Sequence, residues 1–171
     1  MRRQISACQQ SLSFHNASAR CAQPVKPENL HLTLHFLGAV ADDQMDALRS
    51  RLAKVEQTRF ELQLQGFGYF VAPRIVWLGL NTTPSSLLQL IASLEGAVAE
   101  ALPGLKHSAD NFIAHISLCK NAAVLPESTS CAPIHWAVDE FALVESINTA
   151  EGVVYQVLQR WPLISPAPPA P

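Results

Sequence analysis

Two tetrapeptides carry the chemistry that this sequence can do. His31-Leu32-Thr33-Leu34 and, 84 positions later, His115-Ile116-Ser117-Leu118 each read histidine, apolar residue, hydroxyl residue, apolar residue. In an extended strand successive side chains alternate faces. His31 and Thr33 then share one face while Leu32 and Leu34 take the other, and the same holds for His115 and Ser117. Two such strands side by side bring two imidazoles and two hydroxyls around one small cleft. An imidazole works as base or acid near neutral pH, and hydroxyls can hold phosphoryl oxygens between them. That set of groups suits cleavage of a phosphodiester without a metal. Either tetrapeptide alone fits an ordinary surface or core strand. The repetition, in residue class and in phase against the apolar face, is what points to a site, and its spacing suits two related halves rather than an array of short repeats.

Further residues bear on the same cleft. His35 falls on the face of His31 and Thr33, as a polar residue at the cleft edge or, with His31 and His115, as part of a three-histidine zinc-type site. The hydroxyls two residues past each key histidine suit phosphate better than metal, so neither metal nor cofactor is expected. Phe67, Tyr69, Trp77 and Tyr155 could stack a terminal base. Phe67 and Tyr155 are the better candidates, and the others read as core or hairpin packing. Cys8, Cys21, Cys119 and Cys131 form no Cys-x-x-Cys pair and no metal-ligand spacing, and are expected as free thiols in a reducing compartment. Cys119, two residues after Ser117, is expected to face the cleft as a small packing residue.

The elements that must position these groups follow from periodicity. The chain has 171 residues, 49% of them hydrophobic and 15% charged, which predicts a globular domain with a proper core. A net charge of −2 argues against broad polyanion binding, so a nucleic-acid substrate would be gripped locally, at an end. No apolar run is long enough to span a bilayer, and the N-terminus lacks the apolar core of a signal peptide, so the protein is read as cytoplasmic, with a monomer as the default. Residues 2–20 hold a short helical segment. Pro24 and Pro27 lead into a strand over 30–37, with Leu30, Leu32, Leu34 and Phe36 as its apolar face. A helix follows over 42–57, then a strand from Phe60 that ends at Gly66-Phe67-Gly68, and a second strand from Ile75 to Leu80. Pro84 opens a helix running to about 102, with Leu87, Leu90, Ile91, Leu94 and Val98 inward. After the second motif come a Ser/Pro-rich loop over 121–133 and strands at about 137–145 and 153–161. The class is α+β. Residues 1–162 are read as one domain of two pseudo-symmetric halves, and residues 163–171 as a disordered proline-rich tail.

With both motifs in place, the chain resembles the two-histidine (2H) phosphoesterase superfamily, and within it the RNA 2′,3′-cyclic phosphodiesterase branch, historically called 2′-5′ RNA ligase. The likeness runs through Pro27-Glu28-Asn29-Leu30-His31-Leu32-Thr33-Leu34-His35-Phe36-Leu37-Gly38. It continues in Gly66-Phe67-Gly68-Tyr69-Phe70 with Pro73-Arg74-Ile75-Val76-Trp77-Leu78-Gly79, then in Glu145-Ser146, Gly152 and Tyr155, and covers about 24–162. Three positions depart from the family pattern. Ala114 stands for the usual Pro, Ser117 for the commoner Thr, and Lys120 for Arg, a point charge in place of a bidentate fork. The family also opens with a short strand before the first helix, whereas Met1 falls at that helix, so the first strand is expected to be missing. The resemblance implies a two-lobed fold, antiparallel sheets facing a central cleft with helices outside. It implies hydrolysis of a 2′,3′-cyclic phosphate at an RNA 3′ end to a 2′-phosphomonoester. Thr33 and Ser117 hold the phosphate, and Lys120 contacts substrate. His115 is assigned as base and His31 as acid, with the reverse order left open. Other readings are a non-catalytic RNA-end binding module, or the same chemistry on small cyclic or 2′-5′ linked nucleotides, such as a product of tRNA splicing.

Overall fold

The structure is a computed structural model of the chain, and it describes residues 1–12, 23–105, 112–122, 124, 126, 131–150 and 152–165. The chain divides into two compact units, each assembled from three separate stretches. Met1–Thr33, Leu62–Thr82 and Ile113–Trp136 make the first, and Leu34–Glu61, Thr83–Phe112 and Ala137–Pro171 the second. The histidine and hydroxyl residues of both motifs therefore fall in one unit, although 84 positions separate the histidines.

The first unit is built on a five-stranded sheet in the order β1-β4-β3-β2-β5, from β1 (Gln23–Pro24), β2 (Phe60–Phe70), β3 (Ile75–Leu80), β4 (His115–Lys120) and β5 (Ile134–Val138). The pairs β1–β4, β4–β3 and β3–β2 are antiparallel. Helix α1 (Arg2–Gln10) covers its apolar face. Ile5 and Cys8, three apart and so on one helix face, are buried against Leu30, Leu64, Leu78, Ile116, Leu118 and Ile134. Burying each Leu or Ile there contributes about 1.5–3 kcal/mol. The helix is tied down twice more. The Gln9 side-chain amide donates to the carbonyls of Val25 (2.9 Å) and Leu118 (2.6 Å), and Cys8 is disulfide-bonded to Cys131 with Cα atoms 5.5 Å apart. Cys119 is disulfide-bonded as well. The expectation of free thiols is thus corrected at Cys8, Cys119 and Cys131, because the fold brings together residues 123 positions apart; Cys21 lies outside the described residues.

In the second unit, α2 (Met45–Leu52) packs on α3 (Ser85–Ala101) through Leu48, Leu52, Leu90, Ile91, Leu94 and Val98, and Arg51 pairs with Glu100 at 2.7 Å. Strands β6 (Glu140–Thr149) and β7 (Gly152–Pro162) form a two-stranded antiparallel hairpin, with Phe141 and Trp161 stacked at its base. Gly152, at φ +113, supplies the turn conformation that a side chain would resist. No helix among the described residues is long and apolar enough to cross a membrane.

Several boundaries differ from the sequence expectation. The helix read over 42–57 is a 3-10 turn, Asp42–Gln44, followed by an α-helix that stops at Leu52. Strand β2 does not end at Gly66-Phe67-Gly68 but runs through it to Phe70. The strand read over 30–37 is not a strand. It pairs at a single position, Leu32 with Ile116, and Phe36 is 81% exposed. Apolar alternation alone does not make a strand, because a ladder needs a partner at successive positions. Leu163 and Ile164, read as the start of a disordered tail, are held. Leu163 N–H donates to the Asp139 carbonyl, and Ile164 exchanges hydrogen bonds with Gln57 and Arg59. Residues 166–171 of that tail lie outside the described residues.

Candidate active site

The bridge between Leu32 and Ile116 is antiparallel. His31 and Thr33 flank the bridge on one side and His115 and Ser117 flank it on the other, without a continuing ladder. Leu32 and Ile116 both pack into the core beneath. Within β4 the alternation of side chains puts His115 and Ser117 on the opposite face, and His31 and Thr33 are exposed.

Both rings are oriented by their own backbone. His31 Nδ1–H donates to the Asn29 carbonyl at 2.6 Å, and His115 Nδ1–H donates to the Ile113 carbonyl at 2.7 Å. A carbonyl can only accept, so each Nδ1 carries a proton whatever the charge of the ring. The two histidines thus make the same local bond, to the carbonyl two residues upstream. Those carbonyls were not part of the sequence reading, since a backbone acceptor leaves no residue-type signal. His31 and Thr33 are exposed, while His115 and Ser117 are half-buried within β4.

Strand β4 is steadied by β3, where Gly79 pairs with His115, Leu78 with Ile116 and Trp77 with Ser117. The next pair is Val76 with Cys119, which leaves Leu118 as the extra residue of a β-bulge. The bulge changes the phase of the strand. Leu118 and Cys119 are both fully buried, so Cys119 packs with Val76 and Ala122 and does not face the cleft as expected. Lys120 is thereby carried back to the face of His115 and Ser117, half-buried and opposite Gln23.

The other expected contacts fare unevenly. Phe67 pairs with Leu78 and packs into the core with Leu64 and Ile116, on the face away from the histidines. Tyr69 likewise faces the buried side, and its hydroxyl donates to the Ala122 carbonyl at 2.9 Å. Tyr155 lies on β7 opposite Ser146, and His35 is half-buried; both belong to the second unit. Among the described residues no three His, Cys, Asp or Glu side chains come together as a metal-binding group, and His31, His35 and His115 are all described. Phe70, which the sequence reading passed over, stands edge-on to His115 with ring centroids 5.0 Å apart. A period-2 signal for it exists. Gly66, Gly68 and Phe70 alternate on β2, and Gly68 leaves room for the ring of Trp77 from the neighbouring strand.

Comparison with known proteins accords with this geometry. A sequence profile described as LigT like Phosphoesterase matches residues 1–77. An RNA 2′,3′-cyclic phosphodiesterase of Escherichia coli K12 is 35% identical over 145 residues, covering 82% of this chain and 80% of that protein. The chain belongs to the LigT-like phosphoesterase family. The Thermus thermophilus RNA 2′,3′-cyclic phosphodiesterase is also 35% identical to this LigT-like phosphoesterase, over 155 residues that cover 82% of this chain and 75% of the relative. The crystal structure of Escherichia coli LigT complexed with 3′-AMP superposes with a TM-score of 0.78 at 32% identity, over 95% of this chain and 90% of that one. The α+β fold expected from the sequence is therefore that of the LigT-like phosphoesterases, and the His31 motif lies inside the residues that the profile matches.

Proposed function

We propose that the protein is an RNA 2′,3′-cyclic phosphodiesterase, opening a terminal 2′,3′-cyclic phosphate to a 2′-phosphomonoester by two-histidine acid–base catalysis that needs no metal. The observation that carries this reading is the Leu32–Ile116 bridge, which joins the backbones of the two motifs between the histidine and the hydroxyl of each. The phosphodiesterase names of the relatives support the substrate class.

In the reaction, His115 Nε2 takes a proton from water as the water oxygen bonds to phosphorus. The bond from phosphorus to the 3′ oxygen breaks, and His31, as imidazolium, returns a proton to that oxygen through its Nε2. Each transfer contributes roughly 10²–10⁴-fold. Thr33 and Ser117 donate to the non-bridging oxygens, whose charge grows in the transition state, and the Lys120 ammonium adds a positive charge at the end of the same strand face. The Nδ1–H bonds to Asn29 and Ile113 keep both rings in the orientation that presents Nε2 to the phosphate. A ribose 5′-hydroxyl in place of water would give a 2′-5′ linkage, the ligase direction of the same two proton transfers.

The test is incubation of the full chain, in EDTA, with a short RNA bearing a 2′,3′-cyclic phosphate, separating 2′- from 3′-phosphate products. Clean formation of the 2′-phosphate, lost in His31→Ala and in His115→Ala, is expected. Turnover only on addition of zinc, or none from folded protein, overturns the reading.

A further inference from the structure

Trp77 crosses the sheet from β3, and its indole lies flat over two glycines. A Cβ placed on Gly68 would come within 2.0 Å of the ring, and one on Gly79 within 2.7 Å. Gly68 is the cross-strand partner of Trp77 on β2, and Gly79, two residues along β3 from Trp77, is the cross-strand partner of His115. Backbone therefore fills the space against the indole where a stacked base would have to lie. Phe70 packs on the indole at 5.4 Å, tilted by 35°, and stands at 84° to His115 with centroids 5.0 Å apart. The indole itself is 6.1 Å from the imidazole.

From this packing we infer that Phe70, backed by Trp77, is a positioning residue for His115, a further determinant of the phosphodiesterase reaction that rests on the function proposed above. The Nδ1–H bond to Ile113 fixes one point of the ring but leaves rotation about the bond axis open. A phenyl ring set edge-to-face against the imidazole closes that rotation on one side, and Trp77 keeps the phenyl ring from retreating. Edge-to-face aromatic pairs are held by the ring quadrupole, so the constraint is directional as well as steric. Phe70 needs no contact with substrate for this. Its effect is on the fraction of time that Nε2 of His115 points at the attacking water, and so on kcat rather than on KM.

The experiment compares full-length Phe70→Leu, Phe70→Tyr and wild type on a dinucleotide 2′,3′-cyclic phosphate, with ¹⁵N spectra of the His115 ring. In Phe70→Leu, kcat is expected to fall roughly tenfold with KM within about twofold, because loss of alignment acts on the chemical step. The His115 spectrum is expected to move away from the pure Nδ1–H tautomer. Phe70→Tyr keeps the ring edge and restores both readouts. On a His115→Ala background Phe70→Leu adds nothing further, whereas on a His31→Ala background it still lowers the residual rate. Should Phe70→Leu fail to fold, Phe70→Met, close in volume but without a ring, reads the same quantities. A rise in KM with kcat unchanged would make Phe70 a substrate contact and overturn the inference. Should the wild type itself not turn over, the proposed function fails, and the tautomer readout alone decides the positioning role, an unchanged spectrum overturning it.

Discussion

Leu32 and Ile116 face each other across one antiparallel bridge, and both bury their side chains in the core beneath the histidines. Neither carries a reactive group, yet in each motif the histidine and the hydroxyl lie on either side of this pair. The bridge is the point at which the backbones of the two motifs meet. An Ile116→Ala substitution deletes three carbon atoms at a fully buried position and is expected to cost about 2–5 kcal/mol of stability. Its kcat should fall as well, through loosened pairing. Urea denaturation followed by fluorescence, beside steady-state kinetics, checks both.

Loss of either imidazole should be severe and loss of both not much worse. Single His31→Ala and His115→Ala variants are each expected to lose about 10²–10⁴-fold in kcat. The double variant should lose far less than the product of the two, since groups acting as one unit are not additive. Initial rates on a cyclic-phosphate dinucleotide measure this.

The hydroxyls should separate by chemistry rather than by size. Thr33→Val keeps the shape and removes the donor, and is expected to lower kcat by about 10²-fold or more, as removal of one transition-state donor does. Ser117→Thr keeps the hydroxyl and should retain most of the activity. A Ser117→Thr variant as inactive as Ser117→Ala would show that β4 has no room for the extra methyl.

Gly68→Ala should dislodge Trp77, because its Cβ would sit 2.0 Å from the indole. The expected cost is about 1–3 kcal/mol from overpacking. A shift in tryptophan fluorescence should accompany it, and kcat should fall through the displaced ring. Gly96, which has open space around its Cβ position, serves as the control: Gly96→Ala within α3 should stabilise by about 0.5–1 kcal/mol.

Reducing the Cys8–Cys131 bond is expected to lower stability by about 2–5 kcal/mol, given the 123-residue separation it closes. A Cys131→Ser variant, compared with wild type in urea denaturation without reductant, should show the same loss. If the protein works in a reducing compartment, the lower value is the one that applies there.

The phase of the second motif was legible because His115 and Ser117 obey a local rule, the two-residue period of β4. Helix α3 was legible for the same kind of reason, its apolar stripe Leu87, Leu90, Ile91, Leu94 and Val98 being buried as read. What stayed hidden depends on partners. Residues 30–37 have the alternation of a strand but pair only through Leu32, so the pattern is present and the ladder is not. Gly66 and Gly68 looked like an end to β2. They are interior positions, and Gly68 makes way for Trp77, a meaning that appears only once β3 lies alongside. The inward turn of Cys119 comes from a bulge, which shifts the period without changing composition. The disulfide at Cys8 joins residues whose spacing carries no motif at all.

The interleaving of the first unit has a consequence for how the site comes into being. Its three stretches end at Thr33, Thr82 and Trp136, and the Gln9 amide bonds to both Val25 and Leu118. During synthesis from the N-terminus, His31 therefore leaves the ribosome with no partner strand and waits until β4 has emerged. Helix α1, meanwhile, presents Ile5 and Cys8 to solvent until Leu118 arrives to cover them. Contacts of such long sequence separation fold slowly. Catalytic competence and protection of the N-terminal helix should then arise together, late, in a single cooperative step.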